Sequence, residues 1–434
     1  MRTPQIIGLA VLVLSICGCG YRAPLYKTVV TEDPARFENI REDFRPLAAL
    51  MTSDTGLSPT DSNTVVIFPD GKGKFAALRQ DLESAEESIY IDHFRFSQDS
   101  SGTIVHSILK DRREGGADVR VIVDRFAHTR KDIKKLALYA SDSIDVRFFH
   151  RPSWILDYVC PPGGVHRDHR KILLIDGKTA YMGSRNIQDR YFNNWKDLDI
   201  RINGPAVYDL GVVYMQNQQF VAPELPPVKV TEESVRKAVA DTLPAHDALQ
   251  GVTIQIVPDN PWDKRLPIRN SFEWSVNHAQ DYFYYYSPYS PPPKSSLRAL
   301  KEAAKRGVDV RWIVPAHNDI PSAKWIGEAV YLELLNAGVR IFEWQGPMMH
   351  AKEFITDDYL VSIGSANIDN LSFFLNMEVS ALLYDKRFSV VSRDSYLKEI
   401  RENCLEITLD DARNWNMLRK FRNWIFRLFA GSMS

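Results

Sequence analysis

The octapeptide HRKILLID at residues 169–176 is written a second time as HAKEFITD at residues 350–357. Both copies follow the pattern H-x-K-x4-D, in which x is any residue. A matching tetrapeptide starts 14 residues after each histidine, GSRN at residues 183–186 and GSAN at residues 364–367. A carboxylate then follows 28 residues after each histidine, and the two carboxylates are Asp197 and Glu378. One H-x-K would mean little, whereas two copies that agree at these further positions indicate a duplicated functional unit.

Each motif has the pattern of a β-hairpin. Residues two apart in a strand share a face, so each histidine is expected to point the same way as its lysine. The apolar stretch after each lysine is typical of a buried strand, with a strong turn signal, Asp-Gly, at residues 176–177 and a weaker one, Asp-Asp, at 357–358. A turn there returns each Gly-Ser pair to its own histidine. Asp176 and Asp357 then lie roughly 20 Å away, at about 3.3 Å per residue, so we expect these two signature residues to be structural.

The residues at the start of each hairpin suit phosphodiester transfer. That reaction needs a nucleophile, a proton donor for the leaving oxygen and positive charge around the phosphoryl oxygens. His169 and His350 can divide the first two tasks because imidazole titrates near neutral pH, and Lys171 and Lys352 can supply the charge. Further side chains predicted to donate hydrogen bonds to the phosphoryl oxygens are Ser184, Asn186, Ser365 and Asn367. The carboxylates predicted to accept from the second ring nitrogen of the histidines, and so to fix their tautomer, are Asp197 and Glu378.

The rest of the chain repeats at the scale of a domain. GADVR at residues 116–120 returns as GVDVR at residues 307–311, an offset of 307 − 116 = 191. Around these copies the pattern predicts strands and helices in the same order. The expected strands are 88–96, 118–124, 281–286 and 308–314, and the expected helices are 103–113 and 295–306. This order predicts an α/β fold of two repeats, each a mixed sheet flanked by helices, that share one active site at their interface.

The paired H-x-K-x4-D motifs with their trailing Gly-Ser-x-Asn resemble the phospholipase D superfamily, and more narrowly the bacterial cardiolipin synthases. Four further stretches carry the narrower resemblance: GPAV at 204–207, GVDVR at 307–311, MHAK at 349–352 and NMEVS at 376–380. The likeness covers roughly residues 65 to 400. It implies a covalent phosphohistidine intermediate, with His169 as the nucleophile and His350 as the general acid. The sequence departs from cardiolipin synthases of the integral type, which begin with two membrane-spanning helices.

A short leader stands where those helices would be. The apolar run at residues 6–16 is too short to span a bilayer, which takes roughly 20 residues, and it ends in ICGC at 16–19. A small residue directly before Cys19 resembles a bacterial lipobox, so lipidation of Cys19 is predicted; a plain signal peptide or a short uncleaved anchor is the alternative. The body would then be a lipid-anchored envelope protein facing the periplasm, with the outer membrane somewhat favoured by Gly20. Cys160 and Cys404 remain in the folded part and could form one disulfide.

The predicted organisation has six parts: a leader at 1–19, an N-terminal segment at 20–64, the first repeat at 65–222, a linker at 223–250, the second repeat at 251–400 and a C-terminal segment at 401–434. Two regions outside the motifs could contact lipid. The stretch 154–159 is either an apolar lip that receives acyl chains or a loop packed on the core. The C-terminal segment has aromatic residues at helical spacing with basic residues between them, which favours a membrane-surface helix over a helix docked on the body with its basic face solvated.

Two further histidines are expected to have non-catalytic roles. His166 is expected in a supporting or loop role, and His93 as a pocket-lining or hydrogen-bonded core residue. No cysteine and histidine cluster has the spacing of a zinc site, and no cofactor or metal is predicted.

Composition bears on the substrate. The chain carries 54 basic and 55 acidic residues, and binders of nucleic acid usually carry a basic surplus. Nucleic acid is therefore not expected. Phospholipids are the expected substrates because of the predicted lipid anchor, the apolar stretch 154–159 and this near-neutral charge. The sequence favours a cardiolipin synthase-like phosphatidyltransferase that passes a phosphatidyl group to a phosphatidylglycerol-type hydroxyl. Alternatives are a phospholipase D-type hydrolase, a phosphodiesterase or nuclease, and a non-catalytic envelope lipoprotein that binds headgroups.

Overall fold

A computed structural model of the chain describes residues 37–149, 166–235, 248–289 and 291–432. The leader with Cys19, the stretch 154–159 and Cys160 lie outside the described residues, so the predictions made for them stay predictions.

The first half alternates strands and helices, as the sequence pattern predicted. Its strands are β1 Thr60–Phe68, β2 Ser88–His93, β3 Asp118–Asp124, β4 Asp145–Phe149, β5 Arg167–Asp168, β6 Lys171–Ile175, β7 Thr179–Gly183, β8 Trp195–Lys196 and β9 Asp199–Asn203. Its α-helices are α1 Arg45–Thr55, α2 Gly71–Glu83, α3 Ser100–Glu114, α4 Arg130–Ala137, α5 Asp189–Asn193 and α6 Ala206–Val221.

The second half repeats this order. Its strands are β10 Leu249–Asp259, β11 Tyr282–Tyr286, β12 Asp309–Pro315, β13 Arg340–Trp344, β14 Met348–Met349, β15 Glu353–Thr356, β16 Leu360–Gly364, β17 Asn376–Tyr384 and β18 Cys404–Ile407. Its α-helices are α7 Pro267–His278, α8 Lys294–Lys305, α9 Pro321–Glu328, α10 Tyr331–Asn336, α11 Asn370–Phe374, α12 Lys386–Asn403, α13 Leu409–Asn414 and α14 Met417–Ser432. All four predicted strands and both predicted helices are confirmed, with ends that shift by up to three residues.

The two halves build one mixed sheet. Its order is β18-β13-β12-β11-β15-β16-β17-β10-β1-β9-β7-β6-β2-β3-β4. The antiparallel pair of β1 and β10 joins the halves at the centre. Read outward from that pair, β9-β7-β6-β2-β3-β4 matches β17-β16-β15-β11-β12-β13 strand for strand. The prediction of two related repeats in an α/β fold is confirmed.

Helices cover both faces of this sheet, which is why its strands are apolar on both sides. One face carries a core that spans both repeats, where α6 and α12 pack on the central strands. On the other face α2 and α3 cover the first repeat, and α1, α7 and α8 cover the second.

Both predicted hairpins are present, and both turn through left-handed backbone. In the first, Asp176 and Gly177 have φ of 52° and 59°. In the second, Asp357 and Asp358 have φ of 49° and 50°. Two consecutive residues at positive φ make the type I′ turn that matches the twist of antiparallel strands.

Helix α14 docks on α9 with its arginines turned inward. Arg419 Nη2 donates to Glu328 Oε1 at 2.9 Å, and Arg422 also donates to the buried Glu328. Four apolar side chains face outward, Met417, Leu418, Phe421 and Trp424, with Leu418 exposed by 81% and Trp424 by 58%, whereas the ring of Phe426 packs on Trp325 of α9. The helix is docked on the body, as the alternative predicted, but Arg419 and Arg422 pair with Glu328 instead of facing solvent alone, and the membrane-surface role stays a prediction. Within the described residues, no helix combines the length and the apolar character needed to cross a bilayer.

Candidate active site

Two short parallel ladders tie the repeats together at the motif histidines. In one ladder β5, which leads into His169, pairs with the start of β17. In the other β14, which leads into His350, pairs with β8. The backbone N–H of His169 donates to Met377 O at 2.9 Å, and that of His350 donates to Lys196 O at 2.7 Å. Each histidine is therefore fixed beside the residue that precedes the carboxylate of the other repeat.

The carboxylates are consequently exchanged between the repeats. Nδ1 of His169 lies 2.9 Å and 3.0 Å from the two oxygens of Glu378. Nδ1 of His350 lies 3.0 Å from Oδ1 of Asp197. A carboxylate accepts a hydrogen bond, so each ring carries its proton on Nδ1 and presents Nε2 to the site. The structure thus brings together the imidazole–carboxylate pairs predicted from sequence, with the partner of each histidine in the opposite repeat.

The two lysines lie beside the histidines of their own repeats. Nζ of Lys171 donates to His169 O at 2.6 Å, and Nζ of Lys352 donates to His350 O at 2.6 Å. Nζ of Lys352 is also 3.0 Å from Nε2 of His350. All four side chains are buried, with His169 at 8% and His350 at 2% exposure. The site therefore concentrates positive charge where a phosphate anion would offset it.

Burial and mutual charge set the pKa values in this site. Burial lowers the pKa of Lys352 to about 7 and that of Lys171 to about 8. Burial together with the charge of Lys352 lowers the pKa of His350 to about 3. Burial also lowers the pKa of His169, against the opposing charge of Glu378. Burial by itself would raise the pKa of Asp197 and Glu378. The histidines outweigh this effect and lower the pKa of both carboxyl groups to about 2.

The motif serines hold the carboxylates rather than a phosphate. Ser184 Oγ donates to Asp197 at 2.5 Å, and Ser365 Oγ donates to Glu378 at 2.5 Å. Each hydroxyl has one proton, which here is directed at a carboxylate, so the predicted hydrogen bonds from these serines to phosphoryl oxygens stay a prediction. The two asparagines are buried near the histidines: Asn186 Oδ1 accepts from the Arg95 backbone N–H at 3.2 Å, and Asn367 is 6% exposed. Their predicted role toward phosphate stays a prediction.

The motif aspartates are structural, as the hairpin geometry predicted. Asp176 accepts from the backbone N–H groups of Glu86, Glu87 and Ser88 at 3.0, 2.8 and 2.8 Å. Asp357 accepts in the same way from Gln280, Asp281 and Tyr282 at 2.7, 2.9 and 2.9 Å. Each aspartate therefore pins its hairpin to the segment that enters the neighbouring strand.

The two other histidines lie close to the site. Nδ1 of His166 bonds to Leu375 O at 2.7 Å, which confirms a loop role across the repeat interface. His93 is buried opposite Lys171 in the β2–β6 ladder, and its Nδ1 has no hydrogen-bond partner among the described residues. It lines the site rather than forming part of a satisfied core, the two interpretations that the sequence left open.

Sequence reasoning missed the groups that make the two half-sites different. Glu378 also accepts from Ser372 Oγ at 2.7 Å and from Asn376 Nδ2 at 3.3 Å. The equivalent positions in the first repeat are Tyr191 and Trp195, whose rings lie 5.3 Å and 5.5 Å from that of His350. The sequence does contain this difference. The offset between the motifs is 350 − 169 = 181, so position 191 corresponds to 372 and position 195 to 376, and the residue types differ at both.

Two histidines with crossed carboxylates at the seam of a duplicated α/β sheet define a class of phosphodiester-cleaving enzymes. Two segments, 78–218 and 275–398, match the family model described as "Cardiolipin synthase, PLD-like domain", and the chain belongs to that family. The cardiolipin synthase of Clostridium perfringens strain SM101 is 26% identical over 92% of this chain and 83% of its own length. That of Listeria monocytogenes serotype 4a strain HCC23 is 29% identical over 92% of this chain and 81% of its own.

Solved structures share the fold. A phosphatidylserine synthase from Haemophilus influenzae Rd KW20 superposes with a TM-score of 0.64 at 14% identity, over 90% of this chain and 97% of that one. A polyphosphate kinase from Porphyromonas gingivalis gives a TM-score of 0.51 at 12% identity, over 94% of this chain and 57% of that one. These likenesses confirm the architecture and leave the substrate to the site itself.

Proposed function

We propose that this chain is a cardiolipin synthase-type phosphatidyltransferase that works through a phosphohistidine. The observation that carries the proposal is the shared site, in which two imidazoles are each oriented by a carboxylate of the other repeat and each has a buried lysine beside it. Named relatives that cover most of both chains support a phospholipid substrate.

The first step is attack of His169 Nε2 on the phosphorus of a phospholipid. A nitrogen–phosphorus bond forms, the bond to the headgroup oxygen breaks, and His350 gives that oxygen a proton. In the second step an acceptor hydroxyl attacks the phosphorus and gives its proton to His350. The nitrogen–phosphorus bond then breaks, and its electron pair returns to His169.

Geometry supports His169 as the nucleophile. Its Nε2 has no hydrogen-bond partner within the described part of the chain, and its ring is the more exposed of the two. The Lys352 ammonium instead lies over the ring of His350, 3.0 Å from Nε2 and 3.1 Å from Nδ1. Burial and then the lysine charges depress the pKa of His350, and a bound phosphodiester would offset the lysine charges and so favour the protonated ring that the first step needs.

Trapping the intermediate tests the mechanism. Purified protein is mixed with phosphatidylglycerol labelled in its phosphate, quenched at alkaline pH and mapped by peptide. We expect label on the peptide containing His169 and none in His169→Ala. Label on the His350 peptide would reverse the assignment of nucleophile and acid. Wild-type protein that neither takes up label nor forms product would contradict the proposal. In cells, cardiolipin that stays unchanged in strains lacking or overproducing the protein would contradict synthase activity.

We also propose that the protein works at a membrane surface, held by lipidation at Cys19 in the cell envelope and facing the periplasm, with the outer membrane favoured. The lipobox-like ICGC sequence supports the anchor. The outward apolar face of α14 supports a second contact with lipid.

A further inference from the structure

Three aromatic rings enclose His350. The ring centroids of Tyr191, Trp195 and Tyr289 lie 5.3, 5.5 and 5.7 Å from that of His350. Tyr191 and Trp195 come from the first repeat, and Tyr289 comes from the loop after β11 in the second. We call these three residues the aromatic wall.

A polar rim crosses between the repeats at the outer edge of this wall. Tyr289 Oη donates to Asp319 Oδ1 at 3.1 Å. Arg190 Nη1 lies 3.8 Å from Asp319 Oδ2, and its guanidinium covers the Trp195 ring at 4.2 Å. The side chains of Arg190 and Asp319 remain 35% and 27% exposed, so both can still bind a solute at the surface.

The half-site around His169 differs: the ring of Phe94 lies 4.7 Å from that of His169, but the positions equivalent to 190, 191 and 195 carry no aromatic residue. Adding 350 − 169 = 181 to 190, 191 and 195 gives Leu371, Ser372 and Asn376. Ser372 and Asn376 donate to Glu378 instead of packing on a ring. The repeats share their catalytic groups and differ here, which indicates that the two sides of the phosphorus face different partners.

We propose that the aromatic wall and the Arg190–Asp319 rim form the subsite for the acceptor alcohol. The inference rests on the proposed function. In an in-line displacement the entering oxygen approaches opposite His169 and therefore beside His350. There the acceptor hydroxyl gives its proton to His350 while its oxygen bonds to phosphorus and the bond to His169 breaks. Arg190 and Asp319 bind the remaining hydroxyl of a glycerol-type headgroup, and the rings exclude the water that would otherwise attack in place of the acceptor.

The ratio of transfer to hydrolysis tests this subsite. Both products arise from one intermediate, so their ratio does not depend on how fast that intermediate forms. Wild type, Asp319→Asn, Arg190→Gln and Tyr289→Phe are incubated with labelled phosphatidylglycerol, and cardiolipin and phosphatidic acid are counted. Arg340→Gln is the matched control, because it removes an exposed ion pair between Arg340 on β13 and Glu406 on β18. The three variants should lower the ratio of cardiolipin to phosphatidic acid roughly threefold or more, which corresponds to a barrier difference of at least about 0.65 kcal/mol, with the control unchanged.

The outcomes separate the two proposals. A cardiolipin share that stays at the wild-type value in both Asp319→Asn and Arg190→Gln overturns the subsite and leaves the proposed function standing. A wild type that yields only phosphatidic acid overturns the subsite and the transferase together. A wild type that yields neither product overturns the proposed function and the subsite with it.

Discussion

Glu378 accepts hydrogen bonds from four side chains, whereas Asp197 accepts from two and leaves Oδ2 without a partner among the described residues. The carboxylate of His169 is thus held by more donors than the carboxylate of His350. Substitutions of Glu378 and Asp197 should consequently impair different steps of the reaction.

Glu378→Gln should slow formation of the phosphoenzyme by about 10²–10⁴-fold, since the tautomer of the nucleophile is lost. Asp197→Asn should slow transfer from a natural headgroup by a similar factor, because His350 loses the partner that stabilises its protonated form. A donor with a nitrophenol leaving group needs no proton, so it should rescue the first step in Asp197→Asn and not in Glu378→Gln. Equal rescue of both variants would contradict the crossed assignment.

The pKa values of His169 and Lys352 predict how activity depends on pH. Burial lowers the pKa of His169 from the usual imidazole range, which favours the neutral nucleophile, while Lys352 loses its charge as pH rises through about 7. We expect kcat/KM to rise with pH, reach a maximum near neutrality and fall on the alkaline side. Lys352→Arg should move the alkaline limb upward, because a guanidinium stays charged. An alkaline limb that does not move would assign that limb to another group.

At the scale of single elements, each motif aspartate fastens a hairpin. Asp176→Asn replaces one acceptor oxygen with an amide that cannot accept from the backbone N–H groups. The free energy of unfolding should fall by about 2 kcal/mol. Urea unfolding measures it, with Asp394→Ala on the exposed face of α12 as the control, expected within about 0.5 kcal/mol of wild type. Activity per folded molecule should change little, and a large loss with unchanged stability would contradict the structural role.

Helix α14 should contact lipid through its apolar face rather than through charge. A photoreactive phospholipid in phosphatidylcholine vesicles should crosslink to residues 417–426, and Phe421→Glu with Trp424→Glu should cut the yield about tenfold. Added salt should matter little, because Arg419 and Arg422 are engaged by Glu328. The equally outward Leu405 on β18, 58% exposed, is the control and should not crosslink. Salt-sensitive crosslinking that survives both substitutions would contradict this orientation.

The sequence could not orient that helix. Helical spacing separates an apolar face from a basic one, but it does not say which face meets the body. That choice depends on Glu328, a buried carboxylate 419 − 328 = 91 residues earlier in the chain. Hairpins, in contrast, were predictable because turn chemistry and strand pattern are local.

For the whole molecule, the duplicated motif predicted the two repeats and the shared site, since both copies must meet for either to be complete. The exchange of carboxylates was beyond the sequence, because a spacing of 28 residues is the same in both repeats and is compatible with pairing inside or across them. The asymmetric wall was readable only by comparing positions 191 and 195 with 372 and 376.

Mixing two defective proteins tests whether the site belongs to one chain. The β1–β10 pair places both repeats of one molecule in a single sheet. His169→Ala mixed with His350→Ala should therefore regain no activity, because each molecule keeps only one histidine. Product formation is measured across a range of protein concentrations. Recovery of roughly a quarter or more of wild-type activity would indicate that repeats are exchanged between molecules.

The crossing of His169 to Glu378 and of His350 to Asp197 has a consequence for the history of the chain. Neither repeat can be lost without inactivating the other, since each repeat supplies the carboxylate that orients the histidine of the other. Selection must keep both copies of these four side chains, while the surroundings of each ring remain free to drift toward separate tasks.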